Sequence, residues 1–296
     1  MRSPGACRWP ARSTSPSWWR WPRWSRYCCV ALARTARIGQ ASGVATTNEI
    51  GFGIDIGGSG IKGAPVDLRR GEFTEERVRI ETPDESTPQN VIEVVLQVLE
   101  AFDWKQPFGC TFPGVVRRGV VGSAANVDDA WVGVNLEKEL TERTGQPVTA
   151  INDADAAGLA EARLGAGAEV DGVVIVTTLG TGIGSALLHR GVLQPNTEFG
   201  HLYLENGLEA EHYAASSVRE REDLSWEDWA DRLQLVYSYL EFLFSPDLFV
   251  VGGGISKKSE RFLPRLKLET PIVPAALRND GGIIGAALLA AETHPQ

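Results

Sequence analysis

From residue 50 onward, short apolar runs alternate with longer stretches in which apolar residues recur every three or four positions. The apolar runs are bounded by turn residues and are typical of buried strands. They cover residues 50–54, 61–66, 108–116, 173–176, 185–189 and 248–251, the third of them ending in a loop at Pro113 and Gly114. The first two runs enclose a glycine-rich segment, which predicts a hairpin.

Helices are predicted between these strands. In residues 88–102, valines at positions 91, 94, 95 and 98 follow the i, i+3, i+4, i+7 spacing of a buried helix face. Thr87 before Pro88 suits an N-cap followed by a first-turn proline. Further helices are predicted at residues 136–144, 153–164, 225–244 and 282–291. Buried strands that alternate with helices in this way predict an α/β fold.

Residues 1–48 differ from the rest of the chain in composition. They contain eight arginines, no lysine and no acidic residue, together with five of the nine tryptophans. We interpret them as a disordered or non-native leader. An export signal is one alternative, although such a signal needs an unbroken apolar stretch of about 7–15 residues and arginine soon follows the short apolar run 27–33. A cationic aromatic arm that binds membranes or nucleic acid is the other alternative.

The remaining residues are acidic and poor in cysteine. They carry 21 basic and 38 acidic side chains, a net charge of −17, and their single cysteine is Cys110. One cysteine cannot form an internal disulfide, which fits a reducing cytoplasm, and it excludes a zinc site built from several cysteines. Since no apolar run approaches the ~18 residues that a membrane helix needs, we expect no membrane partner.

Two glycine-rich turns follow predicted strands. The first contains Gly57, Gly58, Ser59 and Gly60, with Lys62 shortly after, and the second contains Thr181 and Gly182. Glycines let backbone N–H groups approach phosphate oxygens, so both turns are candidate phosphate-binding sites. Asp55, just before the first turn, can hold a magnesium ion through water. A tight hairpin turn without a ligand is the alternative in each case.

Asp153 lies where a β-branched run meets a predicted helix. Transfer of a phosphoryl group to a hydroxyl needs a carboxylate that accepts the hydroxyl proton, and the end of a strand holds such a group rigidly. The alternative is that Asp153 only caps its helix. Amides, carboxylates and imidazole suit sugar hydroxyls, which both donate and accept hydrogen bonds. The candidate sugar ligands are Asn126, Asn152, Glu198 and His201, with Glu211 beside His212 as a weaker candidate.

A dense group of cations follows a third glycine turn, Gly252-Gly253-Gly254. Lys257, Lys258, Arg261, Arg265 and Lys267 fall within eleven residues that contain a single acid, Glu260. Such a run is either a solvated face or, in an otherwise acidic chain, a track for a polyanion longer than one nucleotide.

Together these motifs resemble those of the ROK sugar kinases, within the actin-like ATPase superfamily. The resemblance rests on residues 55–60, 152–153, 179–184 and 198–201, in that family's order and spacing, and extends from about Glu49 to Ala291. It implies a two-domain α/β fold of the actin-like, ribonuclease H-like type with an interdomain cleft. Residues 49–151 plus 281–296 would form the smaller domain and residues 152–280 the larger one, after the 1–48 leader.

Within the family, three features resemble the branch that uses polyphosphate to phosphorylate glucose. They are residues 225–230, residues 252–258 together with 270–277, and the lack of any cysteine in residues 205–217, where many family members bind zinc. The resemblance implies glucose 6-phosphate formation from inorganic polyphosphate, with ATP as a further donor. Gly57, Gly58, Ser59, Gly60, Lys62, Thr181, Gly182, Lys257 and Lys258 would bind the donor.

By the same resemblance, Asp153 is the base for the sugar 6-hydroxyl, and Asn126, Asn152, Glu198, His201 and Glu211 hold the glucose. The expected cofactor is Mg²⁺, with no structural zinc. We expect a cytoplasmic homodimer that binds neither nucleic acid nor membrane. An ATP-dependent ROK glucokinase is the alternative function, as is a kinase for another hexose. A sugar-responsive ROK repressor is a third alternative, which the leader disfavours because it shows no pair of amphipathic helices.

Overall fold

Two mixed β-sheets form the framework of the protein. The computed structural model describes residues 50–125 and 127–295, so the 1–48 leader and the candidate sugar ligand Asn126 lie outside the described residues. The first sheet contains β1 (Ile50–Gly57), β2 (Gly60–Asp67), β3 (Glu72–Phe73), β4 (Val78–Ile80), β5 (Phe108–Phe112) and β8 (Val148–Asn152). The second contains β9 (Val173–Leu179), β10 (Ile183–His189), β11 (Val192–Gln194), β12 (Leu248–Gly252) and β13 (Ile272–Pro274). β6 (Val116–Arg117) and β7 (Val120–Val121) form a separate antiparallel ribbon.

The two large sheets share one strand order. The main path of the first sheet runs β3-β2-β1-β5-β8, with β4 also paired to β2, and the second runs β11-β10-β9-β12-β13. Each begins with an antiparallel hairpin, β1–β2 or β9–β10, and continues with parallel strands. The two predicted glycine turns therefore close equivalent hairpins of two similarly ordered sheets.

Helices cover the sheets and connect the parallel strands. They are α1 (Pro88–Ala101), α2 (Leu136–Thr144), α3 (Asp153–Leu164), α4 (Ala210–Ala214), α5 (Ser216–Arg221), α6 (Trp226–Phe244) and α7 (Gly281–Thr293). The five predicted helices are confirmed to within two residues at each end, and the α/β class is confirmed with them. The short helices α4 and α5 were not predicted. None of the helices in the described part of the chain combines the length and apolar character needed to cross a bilayer.

Sequence features explain where these helices begin. The Thr87 hydroxyl accepts from the backbone of Asn90 ahead of Pro88, as predicted for α1. The Ser225 hydroxyl accepts from the Asp228 backbone at 3.0 Å and starts α6. Separate apolar clusters lie on the two sides of the framework. One packs α1 and α2 against the first sheet, and another packs α6 against the second.

Helix α7 lies unusually close to its neighbours because glycines remove side chains at the contacts. A Cβ atom at Gly53 of β1 would lie 1.9 Å from the carbonyl oxygen of Ile283, and one at Gly109 of β5 would lie 1.9 Å from that of Ala286. On the other side, a Cβ at Gly285 would lie 1.8 Å from the carbonyl oxygen of Ala156 in α3. The backbone of α7 is therefore packed directly between the first sheet and α3.

Gly285→Ala should lower the free energy of unfolding by about 1–3 kcal/mol or more, because the added methyl group must displace backbone rather than a flexible side chain. Denaturant unfolding would measure the change. Gly281→Ala is the matched control in the same helix, since its Cβ would meet Ala157 at an ordinary 3.4 Å. Equal stability of the two variants would contradict the tight contact.

Candidate active site

The first glycine turn joins β1 to β2, and Asp55 lies on β1 just before it. The Asp55 carboxylate accepts a hydrogen bond from the Thr111 hydroxyl at 2.8 Å and pairs with the Lys62 ammonium at 3.3 Å. Thr111 is fully buried on the neighbouring strand β5, directly opposite Asp55 in the parallel register. Asp55 is thereby held in one orientation while remaining partly accessible to solvent.

Two residues outside the turn fix its backbone. The Arg79 guanidinium, on β4, donates to the carbonyl oxygen of Ser59 at 2.7 Å, and the Thr82 hydroxyl donates to that of Gly57. A Cβ atom at Gly60 would lie 2.8 Å from the Arg79 side chain. Glycine at this position therefore allows a cation to lie directly against the turn, which strengthens its suitability for a phosphate.

Asp153 is the first residue of α3, where strand β8 ends. Its neighbour Asn152 is the N-cap, and the Asn152 side chain accepts from the backbone N–H groups of Ala154 at 2.9 Å and Asp155 at 3.0 Å. The Asp153 carboxylate accepts from the adjacent Ala154 N–H at 2.9 Å. Capping is thus carried out chiefly by Asn152, whose side chain accepts hydrogen bonds from two backbone N–H groups.

The surroundings of Asp153 favour its protonated form more than usual. Its side chain is exposed to solvent, yet nearby protein atoms remove much of its hydration. Burial is therefore the main cause that raises its pKa to about 6, with the negative charges of Asp55 and Glu198 adding to it. A carboxylate with a pKa near the working pH is suited to act as a general base.

The second glycine turn lies between β9 and β10 and contacts Glu211 of α4. The Glu211 carboxylate accepts from the backbone N–H of Ile183 at 3.3 Å. A Cβ atom at Gly182 would lie 2.4 Å from that carboxylate, and one at Gly200 would lie 3.2 Å from it. Ser217 donates to the carbonyl oxygen of Thr181 at 2.6 Å and ties α5 to the same turn.

His201 and Glu198 lie next to this carboxylate. The His201 Nδ1 atom lies 2.9 Å from Glu209 and 3.7 Å from Glu211. The hydrogen bond to Glu209 is the main cause that raises the pKa of His201. Burial raises the pKa of Glu198; the positive charge of His201 opposes that shift and the negative charge of Glu211 adds to it. Three carboxylates, those of Glu198, Glu209 and Glu211, therefore act on the charge of one imidazole, that of His201.

Glu209→Gln should lower the pKa of His201, because the amide removes the negative acceptor that stabilises the imidazolium. An NMR titration of the imidazole protons would measure it. An unchanged His201 titration would show that another group sets its charge.

Among the described residues, one group has metal-ligating composition: His201, Glu209 and Glu211, with ligand atoms within 4.8 Å of one another. The His201–Glu209 hydrogen bond accounts for the proximity of two of the three residues. The predicted absence of a structural zinc stays a prediction.

The third glycine turn lies beside the second. Strand β12 pairs in parallel with β9, and a Cβ atom at Gly253 would lie 2.4 Å from the carbonyl oxygen of Leu179. The 3-10 helix Gly254–Arg261 follows and carries Lys257 and Lys258, both exposed. Neither lysine makes an ion pair with any residue that the structure describes, whereas Arg265 pairs with Glu227. Lys257 and Lys258, together with the exposed Lys267, are the members of the predicted cationic run that make no ion pair with any described residue.

The structure thus gathers most of the predicted site residues into two groups. One joins Asp55, Lys62 and the first turn, and the other joins the second turn with Glu198, His201 and Glu211. The charges of Asp55 and Glu198 both act on Asp153, which relates the two groups to one carboxylate. Sequence reasoning missed Thr111, Arg79, Thr82 and Glu209, since each is brought to its partner by strand pairing or loop folding that leaves no local signal.

The model of the ROK family matches residues 51–221. The chain belongs to the ROK family. This confirms the family predicted from the glycine turns, Asn152-Asp153 and residues 198–201.

Relatives in this family are similar over most of their length. The chain is 51% identical over 253 residues to the polyphosphate glucokinase of Mycobacterium tuberculosis (strain CDC 1551 / Oshkosh), which covers 84% of this chain and 95% of that protein. It is 49% identical over 261 residues to the polyphosphate glucokinase of Mycobacterium leprae (strain TN), covering 87% and 80% of the two chains.

Solved structures agree with the fold. The inorganic polyphosphate/ATP-glucomannokinase of Arthrobacter sp. strain KM has a TM-score of 0.79 and 53% identity, covering 83% of this chain and all (100%) of that chain. The predicted actin-like sugar kinase fold of this ROK protein is confirmed.

Proposed function

We propose that this ROK protein is a polyphosphate glucokinase, which transfers a phosphoryl group from inorganic polyphosphate to the 6-hydroxyl of glucose. The observation that carries the proposal is Asp153, a solvent-accessible carboxylate at the start of α3 whose pKa is raised to about 6 by desolvation and by the negative charges of Asp55 and Glu198. Its helix is capped by Asn152, so Asp153 is free to accept a proton. The mycobacterial relatives at about half identity carry the same named activity.

In the proposed reaction, Asp153 accepts the proton of the 6-hydroxyl as its oxygen attacks the terminal phosphorus of the donor. The bond between that phosphorus and the bridging oxygen breaks, and the shortened polyphosphate leaves with the electron pair. The products are glucose 6-phosphate and a chain one phosphate shorter. Proton acceptance by a positioned carboxylate accelerates such a step by about 10²–10⁴-fold.

We propose that the donor lies against the two glycine turns. Gly57, Gly58, Ser59 and Gly60 would supply backbone N–H groups and a hydroxyl in the first turn, and Thr181 and Gly182 would do so in the second. Lys62 and the exposed pair Lys257 and Lys258 would balance the charge of the phosphates.

Asp55 suits a magnesium ion held through water. Its carboxylate is a hard oxygen ligand, oriented by Thr111, and Mg²⁺ in kinases keeps several waters and binds through one or two carboxylates plus the phosphates. When bound, the ion would neutralise negative charge on the donor. Lys62, 3.3 Å from the same carboxylate, would share that task.

We propose that Asn152, Glu198, His201 and Glu211, together with Asn126, bind the sugar hydroxyls. The sugar would lie in a cleft between two domains, formed by residues 49–151 plus 281–296 and by residues 152–280. The similarly ordered sheets and the position of α7 between the first sheet and α3 support that division. A cytoplasmic homodimer remains the expectation from the family resemblance.

ATP is the second proposed donor, and mannose a second acceptor to be tested. The Arthrobacter protein, which is 53% identical to this chain, is named an inorganic polyphosphate/ATP-glucomannokinase, and that name supports both possibilities. An ATP-dependent glucokinase remains the alternative function, because ROK glucokinases share the same fold.

The test is a coupled glucose 6-phosphate assay with the purified full-length chain, glucose and magnesium. Long-chain polyphosphate free of nucleotide is compared with ATP free of polyphosphate. Turnover with polyphosphate is the expected result. Turnover with ATP alone would establish the alternative donor, and no turnover with either donor would overturn the proposed kinase function.

A further inference from the structure

A buried carboxylate that the proposed reaction does not use lies two residues after the proposed base. Asp155, in the first turn of α3, is 1% exposed. One of its oxygens accepts a hydrogen bond from the backbone N–H of Asn196 at 2.6 Å, and the other is buried without a partner among the described residues. A half-satisfied buried carboxylate costs free energy, so stability alone does not account for it.

The hydrogen bond from Asn196 continues to a different part of the chain. The Asn196 amide oxygen accepts from the backbone N–H of Val116 at 2.9 Å, and its amide nitrogen donates to the Val116 carbonyl oxygen at 2.9 Å. Both backbone groups at the start of β6 are therefore satisfied by one side chain. Asn196 has a φ of +59°, a left-handed conformation that asparagine tolerates better than most residues.

A second amide makes a parallel connection. The side chain of Asn152, the cap of α3, donates to the carbonyl oxygen of Gly114 at 3.1 Å. The start of α3 is thus joined to the segment 114–116 twice, directly through Asn152 and indirectly through Asp155 and Asn196.

The same link fixes the segment that carries Glu198. Asn196 precedes Glu198 by two residues and is held by Asp155 and Val116. On the other side, the Ser185 hydroxyl donates to the Thr197 carbonyl oxygen at 2.7 Å and accepts from the Phe199 N–H at 2.9 Å. Glu198 is therefore positioned between two anchors, of which one is connected to the helix that carries Asp153.

We propose that Asp155 and Asn196 are positioning residues that hold Glu198, and with it the sugar, at a fixed place relative to Asp153. Neither residue touches the reacting atoms. Their loss frees the segment that leads to Glu198, so the acceptor side of the site is weakened while both glycine turns on the donor side are untouched. The inference rests on the proposed function, since it concerns the same sugar site.

The test uses full-length Asp155→Ala and Asn196→Gly, of which the second keeps a residue that adopts a positive φ. The KM for glucose should rise about tenfold in each, the effect of losing one well-placed hydrogen bond to the sugar, while the KM for polyphosphate stays within about twofold. Asp155→Ala removes the acceptor of the Asn196 backbone N–H, whereas Asn196→Gly keeps that N–H and removes both side-chain bonds to Val116. The double variant should therefore raise the KM for glucose at least as much as the poorer single variant. Asp155→Asn keeps an oxygen acceptor for Asn196 and should restore a near-normal KM for glucose.

Glu161 provides a matched control on the same helix. It is 2% exposed, and its carboxylate accepts from the backbone N–H groups of Ala166 at 2.8 Å, Ala276 at 3.1 Å and Leu277 at 2.7 Å. Glu161→Ala removes a comparable buried anchor and should lower the melting temperature without changing the KM for glucose. The positioning role is overturned if Asp155→Ala and Asn196→Gly behave like Glu161→Ala.

Calorimetric glucose binding, without any donor, separates this inference from the proposed function. Weaker glucose binding in Asn196→Gly than in the wild type supports the link independently of turnover, and equal binding overturns it. Should Asp155→Ala fail to fold, Asn196→Gly still tests the proposal, because Asn196 is only half-buried. A wild-type chain that neither binds nor phosphorylates glucose would overturn the proposed function and the inference with it.

Discussion

Asp153→Asn should lower kcat for glucose phosphorylation by about 10²–10⁴-fold, the range expected when a general base is removed. The amide has nearly the same size as the carboxylate but cannot accept the proton of the 6-hydroxyl. Glucose binding should be largely retained, because Asn152, Glu198 and His201 are unchanged. A coupled assay with saturating glucose and polyphosphate measures kcat, and calorimetry measures glucose binding.

The control for this variant is the integrity of α3. Because Asn152 provides the cap, with hydrogen bonds to Ala154 at 2.9 Å and Asp155 at 3.0 Å, Asp153→Asn should leave the melting temperature nearly unchanged. Near-normal turnover would contradict the assignment of Asp153 as base. A large loss of stability together with the loss of turnover would instead point to a structural role.

The pH dependence follows from the same carboxylate. With a pKa raised to about 6, Asp153 is ionised above that pH and protonated below it. Since only the ionised form accepts a proton, kcat/KM should fall about tenfold per pH unit below about 6. Burial also raises the pKa of Asp155, to about 7. The acidic limb should therefore persist in Asp155→Asn if Asp153 causes it.

Replacing Lys257 and Lys258 together by alanine should raise the KM for long-chain polyphosphate by about tenfold or more, while the KM for ATP changes by about twofold or less. In the proposed donor site, a long polyanion would extend past the glycine turns to exposed cations that a nucleotide would not reach. Both lysines are exposed and lack ion-pair partners among the described residues, so their charge is available. Steady-state kinetics with the two donors in parallel measure the difference.

A matched double variant tests whether position or net charge matters. Lys105→Ala with Lys138→Ala also removes two exposed lysines, with side chains 74% and 65% exposed, but these pair with Asp103 and Glu142 in the half of the chain that forms the first sheet. That variant should leave both KM values nearly unchanged. Raising the salt concentration should reduce the difference between wild type and the Lys257/Lys258 variant, because salt screens exposed charges. Equal losses for polyphosphate and ATP would reject the polyanion track.

Local patterns in the sequence were sufficient for most helices and strands. The valine spacing of residues 88–102 and the Thr87–Pro88 start depend only on neighbouring residues, and α1 follows them. The short helices α4 and α5 lack a comparable period. The family motifs likewise identified Asp55, Asp153, Glu198 and His201 as candidates without any knowledge of distances.

What the sequence could not predict depends on pairing between distant segments. Thr111 reaches Asp55 because β5 pairs with β1 in a register that places the two residues opposite each other. Arg79 reaches the first turn because β4 pairs with β2 opposite Lys62. Whether Asp153 caps its helix could not be decided from the sequence, because the preceding Asn152 is a residue type that favours the same position. Side-chain orientation decides it, and the structure has Asn152 as the cap.

The backbone packing of α7 has a consequence for how the protein is made. Residues 281–293 complete an apolar cluster with Ala64 and Val66 of β2 and with Leu159 of α3. The ribosome produces them long after the strands they cover. Until α7 is synthesised, the apolar face of the first sheet that this helix covers has no helix packed on it. The first sheet therefore gains part of its packing from contacts that are distant in sequence, and such contacts form slowly during folding.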